Sequence, residues 1–315
     1  AGTRRLTYKW LRDAPVQRAA FMEGEPGLTA NLPEMQAATE TAWKDAAYCD
    51  RERPRVDRAA AAAKYGPALS ERRAPHVVAP CTAEDLAATI GAWPAGKRGG
   101  LDGWDVEHFK LLPLRHLAWL AELLNAVEDG AAWPRAFLEG LMAMIPKRAA
   151  AKAPLDHRLL TIMSLAYRAW STTRVRQAAE WLRQWAPPAC AGGIPGRGTP
   201  DVWGPMALRA EVAREEDGHL GGFSAALWKF FDLVDPTVAI DLLELLDLSP
   251  RVAGPLRRFY EGLERMVSFQ GVVGDFFKSF QAILQGCGWS NPMANAYAAA
   301  WLLHVEGRAG VSAFA

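Results

Sequence analysis

Apolar positions along this chain follow two periods, and the helical one dominates. LPEMQAATETAWKDAAYC (32–49) and AAAAAK (59–64) are built from strong helix formers. Together they predict a mostly helical, Ala- and Arg-rich stretch over 1–80 that shows no recognisable chemistry. From Cys81 the texture changes. Thr82 precedes Asp85 by three residues, close to a capping box, and apolar residues then recur at helical spacing until Pro94. AGKRGGLDGW (95–104) is a glycine-rich turn, and amphipathic helices are expected near 113–128 and 132–140. LMAMIPKR (141–148) reads as a strand running into a loop. Residues 159–185 read as a short strand and then a long helix, followed by a Pro/Gly loop (186–201) and a helix to about Arg214.

The second half repeats the mixture. GFSAALWKFFDL is apolar, aromatic and flanked by glycines and a proline, which predicts a central strand. Residues 236–247 and 250–265 predict helices, with Pro236 and Pro250 near their starts. MVSFQGVVG and FFKSFQAIL predict two strands around a turn. QGCGWSNPMANAYAAAWLL (285–303) predicts a turn and then a buried helix, and VSAFA opens another strand. The expected class is α+β, with helices packed on one side of a mostly antiparallel sheet. No internal repeat is visible.

Composition narrows this only a little. The chain has 315 residues, half of them hydrophobic, and a formal net charge of +1, so any electrostatic footprint is local. Cys49, Cys81, Cys190 and Cys287 lie far apart without metal-ligand spacing, which suggests a reducing compartment. No apolar run reaches the length of a membrane span, so no membrane partner is expected. The first residue is Ala1 and the last segment lacks a cap or polar tail, which predicts a fragment. There is no H-E-x-x-H, G-x-S-x-G or phosphate-binding Walker loop. Cys287 in QGCGWS has no histidine near it in sequence and reads as a small core residue.

Six short stretches, taken in order, resemble the reverse transcriptases of non-LTR retrotransposons (LINE-like) and group II introns. GLDGW (100–104) resembles that family's G-x-D-G loop, and MIPK (144–147) its strand ending in I-P-K. DHRLLTIMSLAYRAWS (156–171) resembles R-P-I-x-L-x-x-x-x-Y-R-x-x-S, and GGIPGRGTPD (192–201) resembles G-F-x-x-G-R-x-x-x-D. KFFDLV (229–234) resembles K-A-F-D-x-V, and LQGCGWSNPMANAY (284–297) resembles x-Q-G-x-x-x-S-P-x-x-x-N. Each alone is weak; six in order, from about Thr82 to Ala315, form a specific signal.

The resemblance implies the fingers and partial palm of a right-hand polymerase, with 1–80 a helical extension, 81–220 fingers-like and 221–315 a truncated palm. It also implies partners: an RNA template, a DNA primer and a deoxynucleoside triphosphate. Residues 147–176 hold seven Lys or Arg against one acid, Asp156. Lys147 and Arg158 match family positions that face the triphosphate, where cations are needed; the plainer reading is a solvated helix face. Phe231 matches an aromatic set beside the incoming sugar, where it would exclude a 2′-hydroxyl. Gln285 and Gly286 match the Q-G turn at base and sugar. Lys229, Asp232, Ser290 and Asn295 match structural positions of the palm. Phe230 stands where the family is usually small, and Asn291 separates Ser290 from Pro292 where the family has Ser-Pro directly.

The metal chemistry implied by the family is missing. Two Mg²⁺ ions would require hard oxygen ligands: one Asp six residues before Asp232, and an Asp pair after an aromatic-x dipeptide. The first position is Ala226, an internal substitution, whereas FA (314–315) matches the aromatic-x dipeptide and the given sequence stops there, so none of the three carboxylates is among these residues. Asp232 cannot substitute, because six residues of strand span roughly 20 Å. The expectation is an RNA-directed DNA polymerase domain by descent that synthesises nothing and binds no active-site metal. The alternatives are a non-catalytic nucleic-acid-binding module or a decayed product without function.

Overall fold

The computed structural model describes residues 22–23, 27–48, 55–96, 99–147, 151–222 and 226–306. Cys49, the basic pair at 97–98 and the expected strand at VSAFA lie outside them. A two-stranded antiparallel ribbon, β1 (Met22–Glu23) with β2 (Leu28–Thr29), precedes α1 (Leu32–Ala47). Met35, Thr39, Trp43 and Ala47 recur every four residues along α1 and are all buried, so one face of this helix is spent on packing. After α2 (Arg58–Ser70), the predicted Thr82 capping box opens α3 (Ala83–Gly91). Thr82 Oγ1 accepts from the Asp85 N–H at 3.1 Å, and Asp85 Oδ2 accepts from the Thr82 N–H at 3.1 Å. The short α4 (Val106–Lys110) leads to α5 (Leu114–Glu128).

The expected helix at 132–140 is instead a 3₁₀ turn, Arg135–Phe137, that gives way to strand β3 (Glu139–Pro146). Pro134 has no N–H to continue a helix, and the residues from Glu139 onward find a ladder partner instead. β4 (His157–Ile162) then pairs antiparallel with β3, and α6 (Leu165–Gln177) and α7 (Ala179–Trp185) follow. Next come α8 (Thr199–Glu215) and the four-residue α9 (Phe230–Leu233), then α10 (Pro236–Leu245) and α11 (Pro250–Gly262). The chain returns to the sheet as β5 (Glu264–Phe269) and β6 (Val272–Val273), and ends its described part with α12 (Ser290–Glu306).

The sheet has four strands in the order β4-β3-β5-β6. It is mixed: β3 and β5 run parallel, because the chain crosses from one to the other through its helices, and the two outer pairs are antiparallel. Two strand expectations fail. The hairpin lies inside MVSFQGVVG, turned by Gln270 and Gly271, both at positive φ, whereas FFKSFQAIL contributes a single bridge, Phe277 to Arg265. The expected central strand is absent from its described residues: 226–229 carry no ladder, Leu227 and Trp228 are exposed, and 230–233 coil into α9. An apolar run becomes a strand only when a neighbouring strand takes its backbone hydrogen bonds.

Alternation along the strands places Met142, Leu159 and Val267 on one face, where Trp43, Ala47 and Tyr48 of the α1 region cover them. The same alternation turns Arg158 and Leu160 to the other face. Most helices share a separate core around Trp133, whose ring lies edge-on to Tyr167, Trp170 and Phe259. The result is a mixed α+β chain, mostly helical, with a small mixed sheet.

Candidate functional site

An open cleft of about 620 Å³ forms where four segments meet at the β4 edge of the sheet. Arg158 comes from β4, Thr172 from α6 and Phe231 from α9, and the turn Gln285–Gly288 with Ser290 and Asn291 closes the remaining side. Arg158, Phe231, Gln285, Gly286 and Ser290, all singled out from sequence, therefore lie together. Arg158 is exposed and forms no salt bridge among the described residues, so its guanidinium is available to an anion.

The turn owes its path to two glycines. Gly286 sits at φ +118, and an added Cβ would touch the Thr161 carbonyl at 3.4 Å. At Gly288 a Cβ would come within 3.0 Å of the Ser171 carbonyl in α6. The chain thus threads between β4 and α6 with no side chain in the way. Ser290 is buried beneath it, its Oγ donating to the Leu284 carbonyl at 2.6 Å. Asn295 is buried too, and its Nδ2 donates to the Gly192 carbonyl at 2.7 Å, so the GGIPGRGTPD loop docks beside α12. Arg197 of that loop is consumed internally, donating to the Cys190 carbonyl at 2.8 Å and the Ala186 carbonyl at 3.1 Å. In GLDGW, a Cβ on Gly100 would come within 2.8 Å of the Ser164 nitrogen, at the cap of α6.

Lys147 does not line the cleft. Its Nζ donates to the Leu155 carbonyl at 2.9 Å, and its charge acts on the cluster formed by Lys229 and Asp232. There the Tyr48 hydroxyl donates to Asp232 Oδ1 at 3.1 Å. Burial raises the Asp232 carboxyl above its ordinary value, against the Tyr48 hydrogen bond and the Lys229 charge. Burial lowers the Lys229 amine to about 8, Lys147 adds to the shift and Asp232 opposes it. The Lys229 Nζ stands 3.1 Å from the centre of the Trp43 ring and has no hydrogen-bond acceptor among the described residues.

The rest of the basic run has other duties. Arg174 is buried with Glu128, Nε to Oε1 at 2.5 Å and Nη2 to Oε2 at 2.6 Å, and Trp170 Nε1 donates to the same carboxylate at 2.8 Å. Arg168 lies over the Trp93 ring. Cys287 lines the cleft, but its sulfur is buried 3.1 Å from the Tyr167 hydroxyl, and burial pushes the thiol up, away from nucleophilic use. Sequence reasoning missed Thr172 and Gly288, and it missed Trp43 and Tyr48. Nothing local marks Thr172; the buried period of α1 ends at Trp43 and Ala47, which was the available signal.

The described residues do not fit a magnesium ion at this cleft. Its lining holds no carboxylate, Ala226 offers an exposed methyl group, and Asp232 is buried under Tyr48. Among the described residues no three His, Cys, Asp or Glu side chains cluster to hold a metal. No described helix is long and apolar enough to cross a membrane.

Fold and cleft together define a mixed α+β protein with a cationic, glycine-turned cleft at the edge of a small sheet. No protein-family model matches the chain. Over 232 residues, 72% of its length, it is 23% identical to the uncharacterized 149 kDa protein of transposon TX1 from Xenopus laevis. That stretch makes up 17% of the transposon protein, so the chain is distantly similar to a small part of a much longer mobile-element product.

Proposed function

We propose that the chain is a reverse-transcriptase-type domain of a retroelement, comprising fingers-like and palm-like regions, that binds nucleic acid and nucleotide without carrying out synthesis. The carrying observation is the convergence of Arg158, Phe231, Gln285 and Gly286 on one cleft from segments far apart in sequence. These are positions at which the chain resembles the polymerase family beside the incoming nucleotide. The distant similarity to a transposon protein supports the same reading.

In this reading Arg158 meets phosphate, the Phe231 ring flanks the sugar, and the Gln285–Gly286 backbone approaches base and sugar closely. The partners are an RNA template, a DNA primer and a deoxynucleoside triphosphate. In this reading synthesis fails at the first metal ligand, because a methyl group stands at 226 where the family has a carboxylate. Among the described residues the cleft lining carries no carboxylate, which favours a retained binding role over a retained reaction.

The test is binding and extension with one RNA–DNA primer–template. Affinity should exceed that of a neutral control protein and fall steeply with salt, and Arg158→Ala should weaken it. No Mg²⁺-dependent extension is expected from the chain or from Ala226→Asp alone. Extension by either would refute the metal assignment, and affinity no better than the control would refute the binding role.

A further inference from the structure

We infer that α1, which places no side chain in the cleft, sets the position of the Phe231 wall through Tyr48 and Trp43. The inference rests on the cleft being the binding site and adds a positioning device to it. Phe231 belongs to α9, a helix of four residues, far too short to hold its own shape. Its N-cap, Lys229, lies at φ 45, a left-handed conformation that a lysine adopts only when its surroundings impose it. The fixing must therefore come from outside α9.

Two groups supply it on the α1 side. The Tyr48 hydroxyl holds Asp232, the residue after Phe231, and the Trp43 face receives the Lys229 ammonium. On the opposite side the Ile283 N–H donates to the Phe231 carbonyl at 2.9 Å, and the Ala282 N–H donates to the Val234 carbonyl at 2.9 Å. Arg265 closes the circuit. Its guanidinium lies 4.8 Å from the Tyr48 ring centre, and Nη2 donates to the Gln281 carbonyl at 3.2 Å. Residues 281–284 run directly into the Gln285–Gly286 turn. Two walls of the cleft are thus tied to one tyrosine at the end of α1. The charged groups facing the junction are Lys229, Asp232, Lys147 and Arg265.

The test is Tyr48→Phe, which keeps the ring and removes only the hydroxyl. Amide hydrogen exchange at Ala282 and Ile283 should quicken by about tenfold, the scale of one hydrogen bond to a charged group. Amides of the β3–β4 ladder should be unchanged, and affinity for the RNA–DNA primer–template should fall. Asp232→Asn, which keeps an acceptor for Tyr48, should retain the protection. Unchanged exchange at Ile283, or an equal rise across the whole protein, would overturn the positioning role. If exchange responds as expected but the unaltered chain binds no primer–template, the positioning stands and the binding role falls.

Discussion

Lys229 shows how one residue records its surroundings. In sequence it is the first letter of KFFDLV; in the fold its amine is enclosed over Trp43, beside Asp232, with Lys147 near enough to oppose its charge. The sign of the pH effect follows. The folded amine titrates near 8 and the unfolded one near 10.5, so between these values the unfolded chain holds more protons. Stability therefore gains from this group as pH rises from about 8 to 10.5, and carries the full penalty below 8. Lys229→Met should remove that slope. The difference between the two denaturation curves across this window measures it and cancels the tyrosines and cysteines common to both. A slope shared equally by both proteins would show that the Lys229 charge costs the fold nothing.

At the scale of elements, local chemistry holds wherever a segment satisfies its own backbone. The Thr82–Asp85 box was readable because both of its hydrogen bonds are made within four residues. Thr82→Ala should cost about 1 kcal/mol in a denaturation midpoint, and Thr82→Asp should restore most of it. The 222–233 segment shows the opposite. Its composition suits a strand, but no described ladder takes up residues 226–229, and the left-handed Lys229 leads into a helical turn. The hairpin was displaced for a related reason: the residues that turn it, Gln270 and Gly271, lie within the run that composition presents as one strand.

At the scale of the molecule, one buried ion pair joins distant parts of the helical core. Glu128 at the end of α5 receives Arg174 of α6 and Trp170 Nε1, and Arg251 of α11 reaches it at 3.4 Å. Arg174 in turn donates to the Ala79 carbonyl at 2.9 Å, ahead of α3. Removing Arg174 leaves the buried Glu128 carboxylate with only Trp170 Nε1 and the longer Arg251 contact, so Arg174→Met should destabilise by about 3 kcal/mol. Replacing both, as Glu128→Leu with Arg174→Met, should recover much of that loss. Urea denaturation of the two variants decides it, and equal losses in single and double variants would show that packing, not charge, dominates.

The sequence by itself determined most helices, the β3 and β4 strands, the cap at Thr82 and the cluster of motifs around Arg158, Phe231 and Gln285–Gly286. These features rest on short-range periodicity, on caps closed within a few residues, or on residue types read directly. Ala226 needed no coordinates either: a methyl group binds no metal in any fold. Tertiary structure alone decided the parallel β3–β5 pairing, the fate of 226–229, and the division of the basic run between a buried ion pair and an exposed cleft. It also brought Tyr48 and Trp43 to the Lys229–Asp232 pair. Each of these depends on partners tens to nearly two hundred residues apart, and no local pattern carries the identity of a distant hydrogen-bond acceptor, a ring face or a neighbouring strand.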